Sequence, residues 1–123
     1  MKINIKKLDH IQLCIPIAHE EQARNFYSNV LGFNEVEKPL ELKKNGGLWF
    51  QLNNIQLHIG VENFENKSKA HPAFEVENLE KVKEYLIANK IEIKEEIKIP
   101  NQERFSFRDP FGNRIEFLEY IKE

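Results

Sequence analysis

The order of elements in this chain occurs twice, and that repeat constrains its fold more than any single motif. In the first half, residues 5–16 alternate apolar and polar side chains as a strand does. Residues 18–31 carry Ala23, Phe26, Tyr27, Val30 and Leu31 at helical spacing, with Gly32 placed to end the helix in a left-handed cap. A short strand over 33–37 and a charged connection over 39–47 follow. Residues 48–52 and 55–61 then form two strands joined at Asn53-Asn54, a pair that tolerates the left-handed turn region. Beyond a polar linker over 63–69, the order returns. Residues 70–76 read as a strand, 79–88 as a helix with Asn78 as its N-cap, and 91–99, 104–108 and 113–120 as three strands. Each half is a βαβββ module, approximately 5–62 and 70–121. Neither can bury its apolar face alone, so two equivalent modules must cover one another or a second chain.

The repeat extends to individual residues. His10 opens the first strand of one half and His71 that of the other; Asn54-Ile55-Gln56-Leu57 stands where Arg114-Ile115-Glu116-Phe117 stands in the second. Side chains of a strand alternate between faces, so the apolar set Ile55, Leu57, Ile59 and Val61 leaves Gln56 and His58 on the opposite face. By the same parity His10 and Gln12, His71, and Glu116 oppose the core sets of their own strands. Helices covering the apolar faces would leave these residues to line a concave polar face. Two imidazoles and a carboxylate, with an amide or a further imidazole beside them, suit a divalent ion that keeps open positions for substrate. Zn, Ni, Mn, Fe and Co are not distinguished by such a set. Plainer readings exist for each residue: a hydrogen-bonded histidine at His58, an ion pair from Glu116 to Arg104 or Arg108, and a wall aromatic at Trp49.

The stretch over 109–119 is the most ordered piece of local code. Asp109-Pro110-Phe111-Gly112 reads as a tight turn, in which proline sets one backbone angle and glycine permits a left-handed one. The strand after it delivers Glu116 between Ile115 and Phe117.

Composition narrows the function classes. The 123 residues are enough for a real core, and a charged content of 31% against 41% hydrophobic is that of an ordinary globular domain. A formal charge of −2, with lysines interleaved among glutamates, provides no field for nucleic acid. One cysteine, Cys14, precludes an intrachain disulfide, and the start of the chain has no apolar signal core. No run approaches the ~20 apolar residues of a membrane span. A cytoplasmic protein with a small-molecule ligand is expected.

Four segments in this order carry a resemblance: Leu8-Asp9-His10-Ile11-Gln12-Leu13, Phe26-Tyr27-Ser28-Asn29-Val30-Leu31-Gly32-Phe33, His71-Pro72-Ala73-Phe74-Glu75-Val76, and Asp109-Pro110-Phe111-Gly112-Asn113-Arg114-Ile115-Glu116-Phe117. Together they resemble the vicinal oxygen chelate superfamily, which includes glyoxalase I, fosfomycin-resistance proteins, extradiol dioxygenases and bleomycin-binding proteins. The resemblance implies an α+β fold of two βαβββ modules forming a cupped mixed β-sheet with the helices outside, commonly as a homodimer. It implies metal ligands at His10, Gln56, His71 and Glu116. Glu116 and His58 would then be catalytic, and Gln12, Trp49, His58 and Arg104 would line the substrate pocket. The function so implied is a metal-dependent lyase, isomerase or thiol transferase acting on a small oxygenated metabolite or electrophile. A metal-free small-molecule or drug-binding protein and an extradiol-type dioxygenase are the alternatives. Glyoxalase I carries a carboxylate where this chain has Gln56, and an amide cannot act as a base; His58, two residues on, can serve as ligand or base instead.

Overall fold

A computed structural model describes residues 1–63 and 68–121, in two compact units, Met1–Phe64 and Glu65–Glu123. Four residues of the expected linker, 64–67, lie outside the described residues. Among those described, no helix is long and apolar enough to cross a membrane.

The first unit is a four-stranded mixed sheet. Strand β1 (His10–Ile15) lies parallel to β4 (Ile55–Val61), which is antiparallel to β3 (Leu48–Leu52), itself antiparallel to β2 (Asn34–Val36), giving the order β1-β4-β3-β2. Both strands of the β3–β4 hairpin have their expected bounds. β1 is shorter than its alternating pattern, because β4 begins just after the Asn53-Asn54 turn and the Gln56 N–H to Asp9 carbonyl bond is the first rung it can make (3.2 Å). Alternation shows a strand-compatible segment; only a partner makes it a strand.

Helix α1 (Glu20–Arg24) continues as wider π-helical turns over Asn25–Val30. It ends as expected. The Leu31 N–H donates to the Phe26 carbonyl and the Phe33 N–H to that of Tyr27, with Gly32 at φ 74° between them. Its buried Tyr27 packs on Phe50 of β3 with ring centroids 5.8 Å apart, so the helix covers the face carrying Phe50, Leu57 and Ile59. Burying each such side chain contributes about 1.5–3 kcal/mol. Trp49, His58 and His10 stand on the other face. The connection expected over 39–47 contains an exposed 3₁₀ segment, Leu40–Asn45.

The second unit repeats the plan. β5 (Ala73–Glu75) is parallel to β8 (Arg114–Tyr120), β7 (Gln102–Arg108) is antiparallel to β8, and β6 (Lys94–Glu95) is antiparallel to β7, giving β5-β8-β7-β6. The core of this unit is aromatic: Phe117 meets both Phe105 and Phe107 edge to face, and Ile115 is buried with them. Helix α2 (Leu79–Ala88) buries Leu79 and Leu86. Its cap differs from expectation. Asn78 is the N-cap residue, at φ 57°, but its side chain makes no cap bond; the Glu119 carboxylate of β8 accepts the N–H groups of Asn78 and Leu79 at 2.9 and 3.0 Å.

Two strands are shorter than their patterns. β5 begins only at Ala73, since Pro72 has no N–H to add to a ladder. Of the strand expected over 91–99, Lys94–Glu95 pairs as a strand and Ile99 makes one isolated bridge to Gln102; between them the Ile97 carbonyl is taken by the Arg104 guanidinium at 2.9 and 3.1 Å. The turn before β8 is as expected and more heavily bonded. The buried Asp109 carboxylate accepts the Phe111 and Asn113 N–H groups and the Asn113 side-chain amide, all within 2.9 Å, and Gly112 sits at φ 92°.

The two modules are not in the same register. His10 lies level with Gln56, whereas Ala73, not His71, lies level with Glu116. His71 is therefore two residues upstream of the position that corresponds to His10.

Candidate functional site

In the first unit the polar face of β1, β4 and β3 carries two rows, His10–Gln56–Gln51 and Gln12–His58–Trp49, set by the strand register. The His58 ring is stacked on both sides. Trp49 lies against it at 3.9 Å between centroids and 7° between planes, and His10 at 4.1 Å and 15°. The stack explains how an imidazole comes to be 5% exposed on a polar face. That burial, with the positive field of His10 next, holds the His58 pKa below its usual 6.5.

A chain of amides gives His58 its tautomer. The Gln51 Nε2 group faces the carbonyls of Leu52, Asn53 and Ile55 at 3.2, 3.1 and 3.4 Å, so it is the donor end and Oε1 the acceptor. Gln56 Nε2 donates to Gln51 Oε1 at 3.0 Å, which turns Gln56 Oε1 toward His58 Nε2, 2.9 Å away. His58 thus carries its hydrogen on Nε2 and, when neutral, its lone pair on Nδ1. Gln12 folds across the strand pair: a Cβ on Gly60 would lie 2.4 Å from its amide nitrogen, so the side chain occupies space that only glycine leaves. His10 Nδ1 lies 2.8 Å from the Asp9 carboxylate, and this hydrogen bond is the main cause of the lowered Asp9 pKa.

In the second unit Glu116 is 5% exposed, and its Oε1 lies 3.2 Å from His71 Nε2 and 3.3 Å from Arg104 Nη1. His71 Nδ1 lies 2.9 Å from the Lys69 carbonyl. A carbonyl oxygen can only accept, so Nδ1 bears the hydrogen and the Nε2 of a neutral ring presents a lone pair to the carboxylate. Two acceptors at that distance require a cation between or beside them: a second ring proton, the Arg104 guanidinium, or a metal ion. Of the plainer readings of Glu116, the ion pair to Arg104 is present, while Arg108 donates to the Gly112 carbonyl instead. Beside them on the same face, Ser106 Oγ and Arg114 Nη2 both donate to Glu96 Oε1, at 2.6 and 2.8 Å.

The expected site residues thus form two groups: His10, Gln12, Trp49, Gln56 and His58 in the first unit, and His71, Arg104 and Glu116 in the second. Among the described residues, no three of His, Cys, Asp and Glu are grouped so as to hold an ion. The donor chemistry nonetheless fits a divalent metal. Both His10 and His71 engage Nδ1 with an oxygen, the outer bond that ligating imidazoles commonly make, and keep Nε2 for another partner. Sequence reasoning missed Asp9, whose only signal is its adjacency to His10. It also missed the trio Ser106, Glu96 and Arg114, which β7, β8 and the residue just after β6 bring together through side-chain hydrogen bonds.

Two βαβββ units, each with its polar residues on the sheet face its helix leaves open, define a protein of the paired-module α+β class. The chain belongs to the Glyoxalase/Bleomycin resistance protein/Dioxygenase superfamily, whose family model matches residues 7–117. A Bacillus anthracis protein described as a glyoxalase family protein is 46% identical, with a TM-score of 0.93 over 98% of this chain and 99% of that one. A glyoxalase/dioxygenase from Nostoc punctiforme (23% identical, TM-score 0.79, 97% and 94% covered) shares the fold. So does a lactoylglutathione lyase from Agrobacterium tumefaciens (19%, TM-score 0.74, 94% and 95%). Among curated proteins none matches.

Proposed function

We propose that this chain is a metal-dependent enzyme of the superfamily, a lyase, isomerase or thiol transferase, acting on a small oxygenated metabolite or electrophile. The observation that carries the reading is the pairing of His71 Nε2 with a buried carboxylate at 3.2 Å while Nδ1 is held by a carbonyl. In the second unit His71 and Glu116 would hold the ion; in the first, His10 and Gln56 Oε1 are donors of the same kind. A divalent ion supplies Lewis-acid stabilisation of negative charge developing on two adjacent substrate oxygens.

His58 is the group suited to move a proton. Its pKa is lowered, so it is neutral at pH 7, and the Gln51–Gln56 chain leaves Nδ1 as the accepting atom. Trp49 and His10 hold the ring in one plane, which fixes where that atom points. An amide at Gln56 cannot act as a base, which supports base chemistry at His58.

A second reading, a metal-free small-molecule binder, is supported by Arg104, whose guanidinium already offsets the Glu116 charge. Calorimetric titration of metal-free protein with Zn, Ni, Mn and Fe separates the two. Saturable binding of about one ion per chain is expected; no binding of any of the four would select the second reading.

A further inference from the structure

On the polar face of the second sheet lies a pocket of about 470 Å³ walled by Lys69, Lys94, Ser106, Arg108 and Arg114, with Glu92 the one carboxylate among its described lining residues. The strand register builds it. Lys94 is paired with Ser106 and Arg108 with Arg114, and residues paired across antiparallel strands point to the same side. Four cations line one pocket in a chain whose overall formal charge is −2. Glu96 does not cancel them all: it is engaged by Ser106 and by one nitrogen of Arg114, which fixes that guanidinium rather than closing the pocket. The Arg114 Nε donor is buried and, among the described residues, has no acceptor. An unmet buried donor costs about 1–3 kcal/mol, so proteins seldom keep one beside other cations without a partner for it. Arg108 spends one nitrogen on the Gly112 carbonyl, and a guanidinium has five N–H donors.

We propose that this pocket binds an oxyanion, the phosphate, phosphonate or carboxylate group of the substrate. Arginine and lysine supply charge-assisted hydrogen bonds of the kind such groups accept in pairs. Ser106 is paired with Glu116 across β7 and β8, so the pocket adjoins the carboxylate proposed to hold the metal. As a place for part of the substrate the pocket rests on the proposed function; as an anion site it does not.

The test uses the full chain, freed of metal by chelation, titrated with inorganic phosphate and separately with acetate at constant ionic strength while backbone amide resonances are followed. Saturable shifts confined to β6, β7, β8 and Lys69 are expected with at least one of the two anions. The variants Lys94→Ala and Arg108→Ala should each weaken that binding about tenfold. Both residues are exposed, so both variants should fold, which Arg114→Gln, with Glu96 left unpaired, need not. No saturable shift with either anion, or binding unchanged in both variants, overturns the pocket. Anion binding in a protein that takes up no metal keeps the pocket and removes the metal-dependent enzyme; metal uptake without anion binding does the reverse.

Discussion

His71 Nε2 and Glu116 Oε1 lie 3.2 Å apart, although their strands enter the pair two residues out of step with His10 and Gln56. The stagger lets the imidazole reach along the strand to a carboxylate that is almost wholly buried. Arg104 completes the charge balance from β7.

That balance makes Arg104 conditional. In metal-free protein Arg104→Met leaves a buried carboxylate with only an imidazole beside it, and should lower stability by about 3 kcal/mol in urea unfolding. A bound divalent ion replaces the lost cation, so the deficit should shrink at saturating zinc. An equal deficit with and without metal would show that no ion reaches Glu116.

The amide chain in the first unit predicts a spectroscopic signature. In wild type, ¹⁵N resonances of His58 should report a hydrogen on Nε2 at neutral pH. Gln51→Leu removes the group that orients Gln56, and should yield a mixture of tautomers at a stability cost of about 1 kcal/mol. An unchanged His58 spectrum in the variant would mean that Gln51 does not set the tautomer.

The turn before β8 depends on one carboxylate. Asp109→Ala removes the acceptor of three hydrogen bonds, two to backbone N–H groups of residues 111 and 113, and should destabilise by about 3 kcal/mol. Asp109→Asn retains one acceptor oxygen and should cost less. Equal losses in chemical denaturation would argue against this bonding scheme.

Acid sensitivity should trace in part to Glu96. The Ser106 hydroxyl, with Arg114 after it, holds the Glu96 pKa below 4.5 against the burial that raises it. A carboxylate depressed in the folded state contributes stability that is complete above its unfolded pKa and is lost as pH falls through the folded one. Ser106→Ala raises the folded pKa, so the gap in melting temperature between wild type and variant should be full at pH 6 and narrow below pH 4.5. A gap independent of pH would contradict the assignment.

Much of this fold was legible because two local codes agree with it. Period-2 patterning placed β3 and β4 at their observed bounds, and glycine at Gly32 and Gly112 marked where a helix and a turn need positive φ. What was not legible depends on partners. The alternation of residues 5–8 has no neighbouring strand among the described residues, the Ile97 carbonyl goes to an arginine side chain, and the N-cap of α2 is satisfied by Glu119 from 40 residues away. In the site, parity alone put His10, Gln56 and His58 on one face and foretold the Glu116–Arg104 pair as one of two choices. It could not give the stagger of β5, the stacking of three rings or the direction of the amide chain, since each follows from register and side-chain rotation. The stagger is the clearest case: identical spacing of His10 and His71 to their following core residues conceals different alignments with the last strand.

The role given to Glu116 is tested most directly by the metal content of Glu116→Gln beside wild type, both loaded with the same ion, desalted and measured by elemental analysis. About one equivalent per chain is expected in wild type and loss of most of it in the variant, with folding unchanged by circular dichroism. Full occupancy in Glu116→Gln would contradict it.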